Sequence, residues 1–517
     1  MTDCVGGSSP LTLAVNEGDV DAVKYLVNHG ADVNGLDVNG NTPILRAVGE
    51  NSAGMLRVLA ELGADLNSAV RGGITSAHLA AYNGFNDSIR ALGELGADIC
   101  AIDNTGATPA YVAAQEGHET SLRVLAELGA DLNTSMSDGN TPVYTAAYHG
   151  RVATIRTLVE LGADLNIANN NGATPASIAA QEGHETSLRV LAELGADLNT
   201  SLSDGNTPVY TAAQNGHETS LRTLGELGAD LNTPTSDGAT PSFIAAAKGH
   251  VDSLRVLADL GADLNTPRSD GATPVFIAAQ QGHVASLRSL GELGADPNTV
   301  RTDGVSPACI AAFCDHEATI RTLAELGADL NTAANNGATP AFMAAQQGHV
   351  ASIRVLAELG ADLNASNIVG ANPAYVAAQK GHVASLRALA ELGADLNTHM
   401  NDGTTPAYVA AEGGHVAALR ALLELRVDID VLDPDGHSAL MLAVEFGHAG
   451  AAVMLVNVGA DVKQCVQHSA PPGVNPVREI MSQFCARVDL PNLDNNNHCT
   501  DAHADFQCSL FSLTKLM

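Results

Sequence analysis

The chain has 517 residues and a formal net charge of -33, with no Trp and only 3% aromatic residues. Such an acidic surface repels nucleic-acid phosphates and anionic lipid head groups, so we expect neither nucleic acid nor a membrane as partner. A single core seldom extends beyond about 250 to 300 residues, and a core of small side chains favours many thin, repeated layers.

The N-terminal residues show no targeting signal. Met1–Pro10 has neither a basic start nor an apolar segment, and no run approaches the roughly 18 apolar residues of a membrane span. The eight cysteines are scattered or crowded near the C-terminus and make no disulfide framework. We therefore expect a soluble intracellular protein with reduced thiols, located in the cytoplasm, with the nucleus left open.

An internal repeat runs through almost the whole chain. The tripeptide Gly-Ala-Asp recurs every 33 residues from Gly30 to Gly393 and again at Gly459, and the frame also holds at Arg426-Val427-Asp428. This period predicts one repeat domain over residues 4–466, with about 14 repeats. They begin near residues 4, 37, 70, 103, 136, 169, 202, 235, 268, 301, 334, 367, 400 and 433 and are numbered 1 to 14 in that order.

Each repeat carries its own start and stop signals, and repeat 4 shows them in order. Thr108 followed by Pro109 is a helix N-cap with a first-turn proline. Gly117 ends this short helix, because glycine adopts the positive backbone angle of a helix end at low cost. A second helix is predicted over Glu119–Leu128, and Asp138-Gly139 signals a turn before the next helix.

Some positions are constant from repeat to repeat. The first helix always carries the same Ala, such as Ala47, and the second helix the same Leu, such as Leu59. A small Ala lets neighbouring layers approach, and the Leu fills the space between them. One repeat alone is therefore not expected to fold. The glycine that ends the first helix is replaced twice, by Asn51 and Asp315, the residue types that tolerate its backbone angle best.

The chain resembles the ankyrin-repeat family in the strings Thr108–Ala114, Gly117-His118 and Leu128–Asn133. The resemblance covers about nine tenths of the chain. It implies an all-α solenoid, with a helix-turn-helix and a β-turn or hairpin loop per repeat, in a curved elongated stack whose concave side binds proteins. Where the family usually has Thr-Pro-Leu-His, only His78 keeps the histidine, and we expect Tyr or Phe to pack there in most other repeats.

Two polar series recur along the helices. In twelve repeats, an Arg on the second helix is followed four residues later by Glu or Asp, as in Arg57 and Glu61, which predicts pairs within one helix. Such pairs would form either a docking surface or, as we favour, a solvated outer face. A His such as His118 follows the helix-ending Gly in most repeats. Layers about 10 Å apart cannot bring two of these to one metal ion, so we expect a structural role.

No nucleotide-binding or hydrolase signature occurs, and the chain has only five Lys. Cys309, Cys314 and His316 lie close in sequence, but no activating base or orienting partner accompanies them. We predict no enzyme activity, no cofactor, no metal site and no small-molecule substrate.

Differences between repeats mark the candidate binding residues. The two exposed positions that end the first helix often hold Gln with Glu or Gln, but four repeats place an aromatic residue there. We predict protein-binding residues at these helix ends, namely Tyr82, Tyr148, His149, Phe313, Cys314 and Phe446. A second predicted set projects from the turns, namely Arg71, Arg268 and Arg301. Neutral drift, local packing and the tolerance of a turn tip are the competing explanations.

Residues 467–517 are predicted to form a C-terminal tail. A capping helix over 476–489 would cover the end of the stack, starting at Asn475-Pro476. Four possible zinc donors follow, but their spacing matches no finger pattern: Cys485, Cys499, His503 and Cys508. We expect free thiols in this tail.

The preferred function is a non-catalytic scaffold or adaptor that binds a protein partner along the concave surface, with a basic partner surface as one option. The alternative is a mechanical or spacing element, whose near-identical repeats supply length without a defined ligand. The resemblance adds that Asn133, Asn166 and Asn199 match a position at which an oxygenase hydroxylates ankyrin repeats, which would make the chain a substrate.

Overall fold

A computed structural model describes residues 9–460 of the chain. These residues form 28 α-helices and one short 3-10 turn at Arg71–Gly73, without a β-strand. The predicted all-α fold with two helices per repeat is therefore confirmed. The capping helix predicted at 476–489 and the four possible zinc donors of the tail lie outside the described residues. Within residues 9–460, no helix is both long and apolar enough to span a bilayer.

Every repeat supplies a first helix and a second helix. The first helices are Pro10–Asn16, Pro43–Gly49, Ser76–Tyr82, Pro109–Glu116, Pro142–Tyr148, Pro175–Gln181, Pro208–Asn215, Pro241–Lys248, Pro274–Gln281, Pro307–Phe313, Pro340–Gln347, Pro373–Gln379, Pro406–Glu412 and Ala439–Glu445. The second helices are Val20–Asn28, Ala53–Glu61, Asn86–Glu94, Glu119–Glu127, Val152–Glu160, Glu185–Glu193, Glu218–Glu226, Val251–Asp259, Val284–Glu292, Glu317–Glu325, Val350–Glu358, Val383–Glu391, Val416–Glu424 and Ala449–Asn457.

The predicted signals start and stop these helices. In repeat 4, Thr108 Oγ1 accepts a hydrogen bond from the backbone N–H of Tyr111 at 3.1 Å, and a proline takes the first helical position. Gly117 then ends the helix with a φ of 79°. Asn51 and Asp315 have φ values of 49° and 60°. The expectation that these two residues replace glycine in a left-handed conformation is confirmed.

The packing divides the described residues into two compact units. The first unit comprises the residues up to Ala245 together with Asp252–Asp263, and the second comprises Ala246–Val251 and the residues from Leu264 onward. Within each unit, first helices pack on the first helices of the next repeat, and second helices on second helices. The expected layers are thus present in both units, while a single repeat domain over residues 4–466 stays a prediction.

The constant residues form the core between the layers. Ala47 and Ala80 on first helices are completely buried, as are Leu59 and Leu92 on second helices. Complete burial of a leucine side chain contributes about 2 kcal/mol relative to its exposed state. The small alanine side chain lets the next helix approach closely. The free energy of folding of each repeat therefore depends on its neighbours.

The side chain of the fourth residue of the Thr-Pro motif reaches the next repeat, as at His78 and Tyr375. Tyr111 and Phe276 are buried at this position, so the predicted packing of Tyr and Phe is confirmed. His78 Nδ1 lies 2.9 Å from Thr75 Oγ1, and His78 Nε2 donates to the Ala107 carbonyl of the next repeat at 2.9 Å. Burial lowers the pKa of His78, so a neutral imidazole links these two repeats.

The histidines that follow the helix-ending residue join each repeat to the preceding one. His184 Nε2 donates to the Tyr148 carbonyl at 2.9 Å, and His349 Nε2 donates to the Phe313 carbonyl at 3.0 Å. The imidazole also lies against the helix-ending glycine of the preceding repeat. A Cβ atom on Gly150, for example, would be 2.9 Å from His184 Nδ1. This hydrogen bond ties each imidazole to the preceding repeat through Nε2. The predicted structural role of these histidines is confirmed.

Candidate functional site

Aromatic side chains stand out at the ends of the first helices. In the first unit, Tyr82 and Tyr148 are the last residues of their helices and are 55% and 44% exposed. In the second unit, Phe313 ends its helix and Phe446 follows its helix, and they are 40% and 53% exposed. Large apolar side chains that the core does not enclose are available for contact with a partner.

The backbone at three of these helix ends is held by a hydrogen bond. The carbonyls of Tyr82, Tyr148 and Phe313 accept from the histidine of a neighbouring repeat at 3.0, 2.9 and 3.0 Å. A group that is already ordered loses less conformational entropy when it binds. These helix ends therefore present their aromatic side chains on a rigid backbone.

His149 and Cys314 follow two of these aromatic residues. His149 is exposed, and its ring meets the Tyr148 ring edge-on, with centroids 4.9 Å apart and planes at 90°. Burial and then the positive charge of Arg151 lower the pKa of His149. Cys314 is half-buried, and burial raises the pKa of its thiol. Both side chains are therefore mainly uncharged near pH 7 and add shape and hydrogen-bonding capacity to the helix ends.

Two of the three turn arginines are engaged within the protein. Arg268 pairs with Asp270 of its own turn at 2.6 Å, and this pairing lowers the pKa of Asp270 to about 2. Arg301 pairs with Asp303, and its guanidinium lies 5.4 Å from the centre of the Phe276 ring. A partner would have to compete with these aspartates for the two guanidinium groups.

Arg71 differs from the other two turn arginines. It begins the 3-10 turn Arg71–Gly73 and is exposed. Among the ion pairs formed within residues 9–460, none includes Arg71. Its guanidinium group is therefore the most accessible of the predicted turn set.

Charged side chains of the second helices pair between repeats. Arg57 Nη2 lies 2.9 Å from Glu94 of the next repeat and pairs with it in place of Glu61. The same pairing, 37 residues apart, recurs at Arg90–Glu127, Arg123–Glu160, Arg156–Glu193, Arg189–Glu226, Arg222–Asp259, Arg288–Glu325, Arg321–Glu358, Arg354–Glu391 and Arg387–Glu424.

The prediction of Arg pairs with the acid four residues later is therefore wrong for these arginines. The physical reason is that the guanidinium extends toward the next layer, where the carboxylate of the next second helix lies. Both partners are roughly half-exposed, so each pair contributes at most about 1 kcal/mol. The charges of this face are largely balanced within the protein, which fits the solvated outer face favoured from sequence.

Sequence reasoning passed over two carboxylates at the helix ends of the first unit. Glu116 and Glu182 occupy in repeats 4 and 6 the position that His149 occupies in repeat 5, and both are half-buried. Burial is the main cause of the pKa shifts of His149 and Tyr144, but the charge of Glu116 acts on the first and that of Glu182 on the second. The available signal was a glutamate every 66 residues, with a tyrosine in the repeat between.

One group of three possible metal ligands occurs within residues 9–460, namely Asp433, Asp435 and His437. The Asp433 carboxylate accepts hydrogen bonds from the Tyr408 hydroxyl at 2.8 Å and from the backbone N–H of His437 at 2.7 Å. His437 Nδ1 lies 3.1 Å from the same carboxylate. The bonds with His437 close the turn of repeat 14 and the bond from Tyr408 joins it to repeat 13, so the group has a structural explanation.

Comparison with known families follows the repeat pattern. A family model described as ankyrin repeats, in three copies, matches residues 1–70 and, in overlapping segments, residues 77–464. No curated protein matches the chain. The matched residues cover far more than half of the sequence and include almost all of the helical repeats described above.

Proposed function

The chain belongs to the ankyrin-repeat family, and from that premise we propose that it is a non-catalytic scaffold or adaptor that binds a protein partner. Ankyrin repeats generally mediate interactions between proteins. The proposed contact residues are the aromatic helix ends and their neighbours, Tyr82, Tyr148, His149, Phe313, Cys314 and Phe446, with the turn arginines Arg71, Arg268 and Arg301 beside them.

The observation that carries this proposal is the exposure of aromatic side chains on rigid helix ends. Tyr148 is the best example, because its ring is 44% exposed while its carbonyl is fixed by His184. Aromatic residues dominate the binding free energy of many protein interfaces, and the other side chains at these ends are mostly small or polar. Each unit carries such residues, so each unit has a surface of its own for a partner.

The chemistry of the described cysteines fits a binding function better than catalysis. Cys309 is buried, its thiol lies 3.5 Å from the Thr332 carbonyl, and burial raises its pKa. A protonated, enclosed thiol is a poor nucleophile. Cys100, Cys309 and Cys314 are all unpaired, which fits a reducing, intracellular compartment.

Tyr25 provides a matched control for a test of this proposal. It lies in the same unit as Tyr148 and is 62% exposed, but it belongs to a second helix and stacks on His29 with ring centroids 4.0 Å apart. We would recover partners from a cell extract with the tagged full chain, with Tyr148→Ala and with Tyr25→Ala, and quantify each by mass spectrometry.

The proposal expects a partner whose affinity falls about thirtyfold in Tyr148→Ala, as for an interface anchor, and stays within about twofold in Tyr25→Ala. Equal recovery of every partner by all three proteins would reject the aromatic helix end as a binding site and favour the mechanical alternative. An equal loss in both variants would indicate non-specific apolar capture. Thermal unfolding of both variants checks that the fold is retained.

A further inference from the structure

From repeat 2 to repeat 6, the helix ends of the first unit alternate between carboxylates and tyrosines. Glu50, Glu116 and Glu182 lie at equivalent positions in repeats 2, 4 and 6, and Tyr82 and Tyr148 end the first helices of the repeats between them. We call these five residues the alternating strip. Its tyrosines are exposed, Glu50 is exposed, and Glu116 and Glu182 are half-buried.

The carboxylates of the alternating strip have their negative charge available. Glu116 accepts a hydrogen bond from the Gln115 side chain at 3.3 Å, and Glu182 accepts one from the Gln181 side chain at 3.0 Å. These donors are neutral, and the Arg151 guanidinium, which lies beside Gly117, makes no ion pair with Glu116 among the described residues. In the part of the chain that the structure describes, none of the three strip glutamates pairs with a lysine or arginine, whereas glutamates of the second helices do.

Resting on the proposed function, we infer that the alternating strip binds an extended protein segment with lysine or arginine at about every fifth or sixth residue. Stacked helices lie roughly 8 to 10 Å apart, so carboxylates two repeats apart are separated by about 16 to 20 Å. An extended chain advances about 3.3 Å per residue and covers this distance in five to six residues. Cations at that interval meet successive carboxylates.

The tyrosines between the carboxylates suit the same ligand. The alkyl stem of a lysine or arginine packs on an aromatic ring, and its charged group gains a cation–π interaction when it lies over the ring. Partial burial of Glu116 and Glu182 strengthens their attraction to a cation relative to a fully solvated pair. The overall charge of -33 adds a long-range attraction that brings a basic segment to the surface.

The second unit lacks this pattern and supports the assignment to the first. Its equivalent positions hold Gln281, Gln347 and Lys380 in repeats 9, 11 and 12. A basic segment would find amides and a like charge at these positions, and the two carboxylates that end first helices of this unit, Glu412 and Glu445, are one repeat apart instead of two. The inferred ligand is therefore specific to the first unit.

The test uses two synthetic peptides and the full chain. One peptide carries three lysines about six residues apart among Ser, Thr and Gln, and the other has the same composition with the lysines adjacent. Binding is measured by fluorescence anisotropy at low and high salt. The variants are Glu116→Gln with Glu182→Gln, and the control Glu127→Gln with Glu193→Gln, which removes the same charge at the same 66-residue spacing from the second helices.

The inference expects the spaced peptide to bind at least about fivefold more tightly than the clustered one. It expects a loss of about tenfold in the strip variant and less than about twofold in the control, because only the strip carboxylates meet the lysines. Equal weakening in both variants would show attraction to net charge alone and overturn the inference, as would equal affinities for the two peptides or no measurable binding.

The basic-segment inference and the proposed scaffold function can fail independently of each other. A partner whose capture depends on Tyr148 but is unchanged by Glu116→Gln with Glu182→Gln would leave the scaffold proposal in place and overturn the basic-segment inference. Binding of the spaced peptide that ignores Tyr148→Ala but depends on the two glutamates would support the charge pattern and reject the aromatic anchor.

Discussion

In the first unit, four first helices end in tyrosine or in glutamine followed by glutamate, whereas in the second unit four end in glutamine or phenylalanine and two end in glutamate. The contacts beneath these ends are nearly the same. His184 in the first unit and His349 in the second each donate to the end of the preceding first helix. The two units thus differ where a partner would bind and agree where the repeats hold each other.

A second series of contacts is continuous in the second unit and interrupted once in the first. The side-chain oxygen of an Asn accepts a hydrogen bond from the backbone N–H of the Asp 31 residues later, as Asn331 Oδ1 does from the Asp362 N–H at 2.7 Å. In the second unit this bond recurs in five successive repeats, from Asn265 to Asn397. In the first unit the bond forms six times, from Asn34 to Asn232, and is missing where Cys100 takes the Asn position, because the Cys side chain has no oxygen to accept it.

In these repeats, partner recognition and the stability of the fold therefore depend on different groups. Side chains at the helix ends vary without disturbing the bonds below them, because those bonds use backbone carbonyls that every residue supplies. The asparagine series, in contrast, depends on one side-chain type, and each of its bonds is lost with one substitution. Three sets of substitutions test this comparison, from the strongest contact to the weakest.

The largest effect is expected where a histidine packs on a helix-ending glycine in both units. A Cβ atom on Gly183 would lie 2.9 Å from His217 Nδ1, and one on Gly348 would lie 2.9 Å from His382 Nδ1. Replacing either glycine by alanine adds this clash to the strain of placing a side chain at a positive φ, which is 75° at Gly183 and 81° at Gly348. We expect each substitution to reduce the free energy of unfolding by about 3 kcal/mol, measured by urea unfolding.

Gly18→Ala is the control for the glycine substitutions. Gly18 has a similar φ of 72°, but no atom of the described residues lies within 4 Å of an added Cβ. Strain alone should cost about 1 kcal/mol. A cost equal to that of Gly183→Ala would show that the histidine contact is unimportant, and a large difference between Gly183→Ala and Gly348→Ala would break the equivalence of the two units.

An intermediate effect is expected for exchange of Cys100 and Asn between the units. Cys100→Asn should restore the missing acceptor for the Asp131 N–H and raise the free energy of unfolding of the first unit by about 1 kcal/mol. Asn331→Cys removes the bond to Asp362 and should lower that of the second unit by a similar amount. Hydrogen exchange at the Asp131 and Asp362 amides measures both changes locally. Unchanged protection in both variants would contradict the role of this series.

Much of the fold could be predicted from the sequence because its signals are local. Thr108 with its proline, Gly117 and the recurring Ala each specify a cap, a stop or a close approach without reference to distant residues. The partner of Arg57 could not be predicted in the same way. From the sequence, both Glu61 and Glu94 could form an ion pair with Arg57. Which of them does so depends on the spacing of the layers and on the direction of the Arg57 side chain.

The candidate site was predicted only in part for the same reason. The aromatic residues were recognisable because they interrupt a repeated sequence, and Tyr148 is indeed exposed. Glu116 looked like the ordinary residue of its position. Its value as a charge beside His149 depends on the contact between repeats 4 and 5, which only the folded chain reveals.

The smallest effect concerns the ion pairs that both units share. A double-mutant cycle of Arg123→Met and Glu160→Gln should give a coupling of about 0.5 kcal/mol, because the pair is 2.6 Å apart but half-exposed. Arg321 and Glu358, the equivalent pair of the second unit, should give the same value, and high salt should reduce both.

The cycle of Arg123 with Glu127, four residues later, should give a smaller coupling, since Glu127 pairs with Arg90. A stronger coupling to Glu127 than to Glu160 would mean that the arginines act within one helix, and the ion pairs would then contribute nothing to the cohesion of neighbouring repeats in either unit.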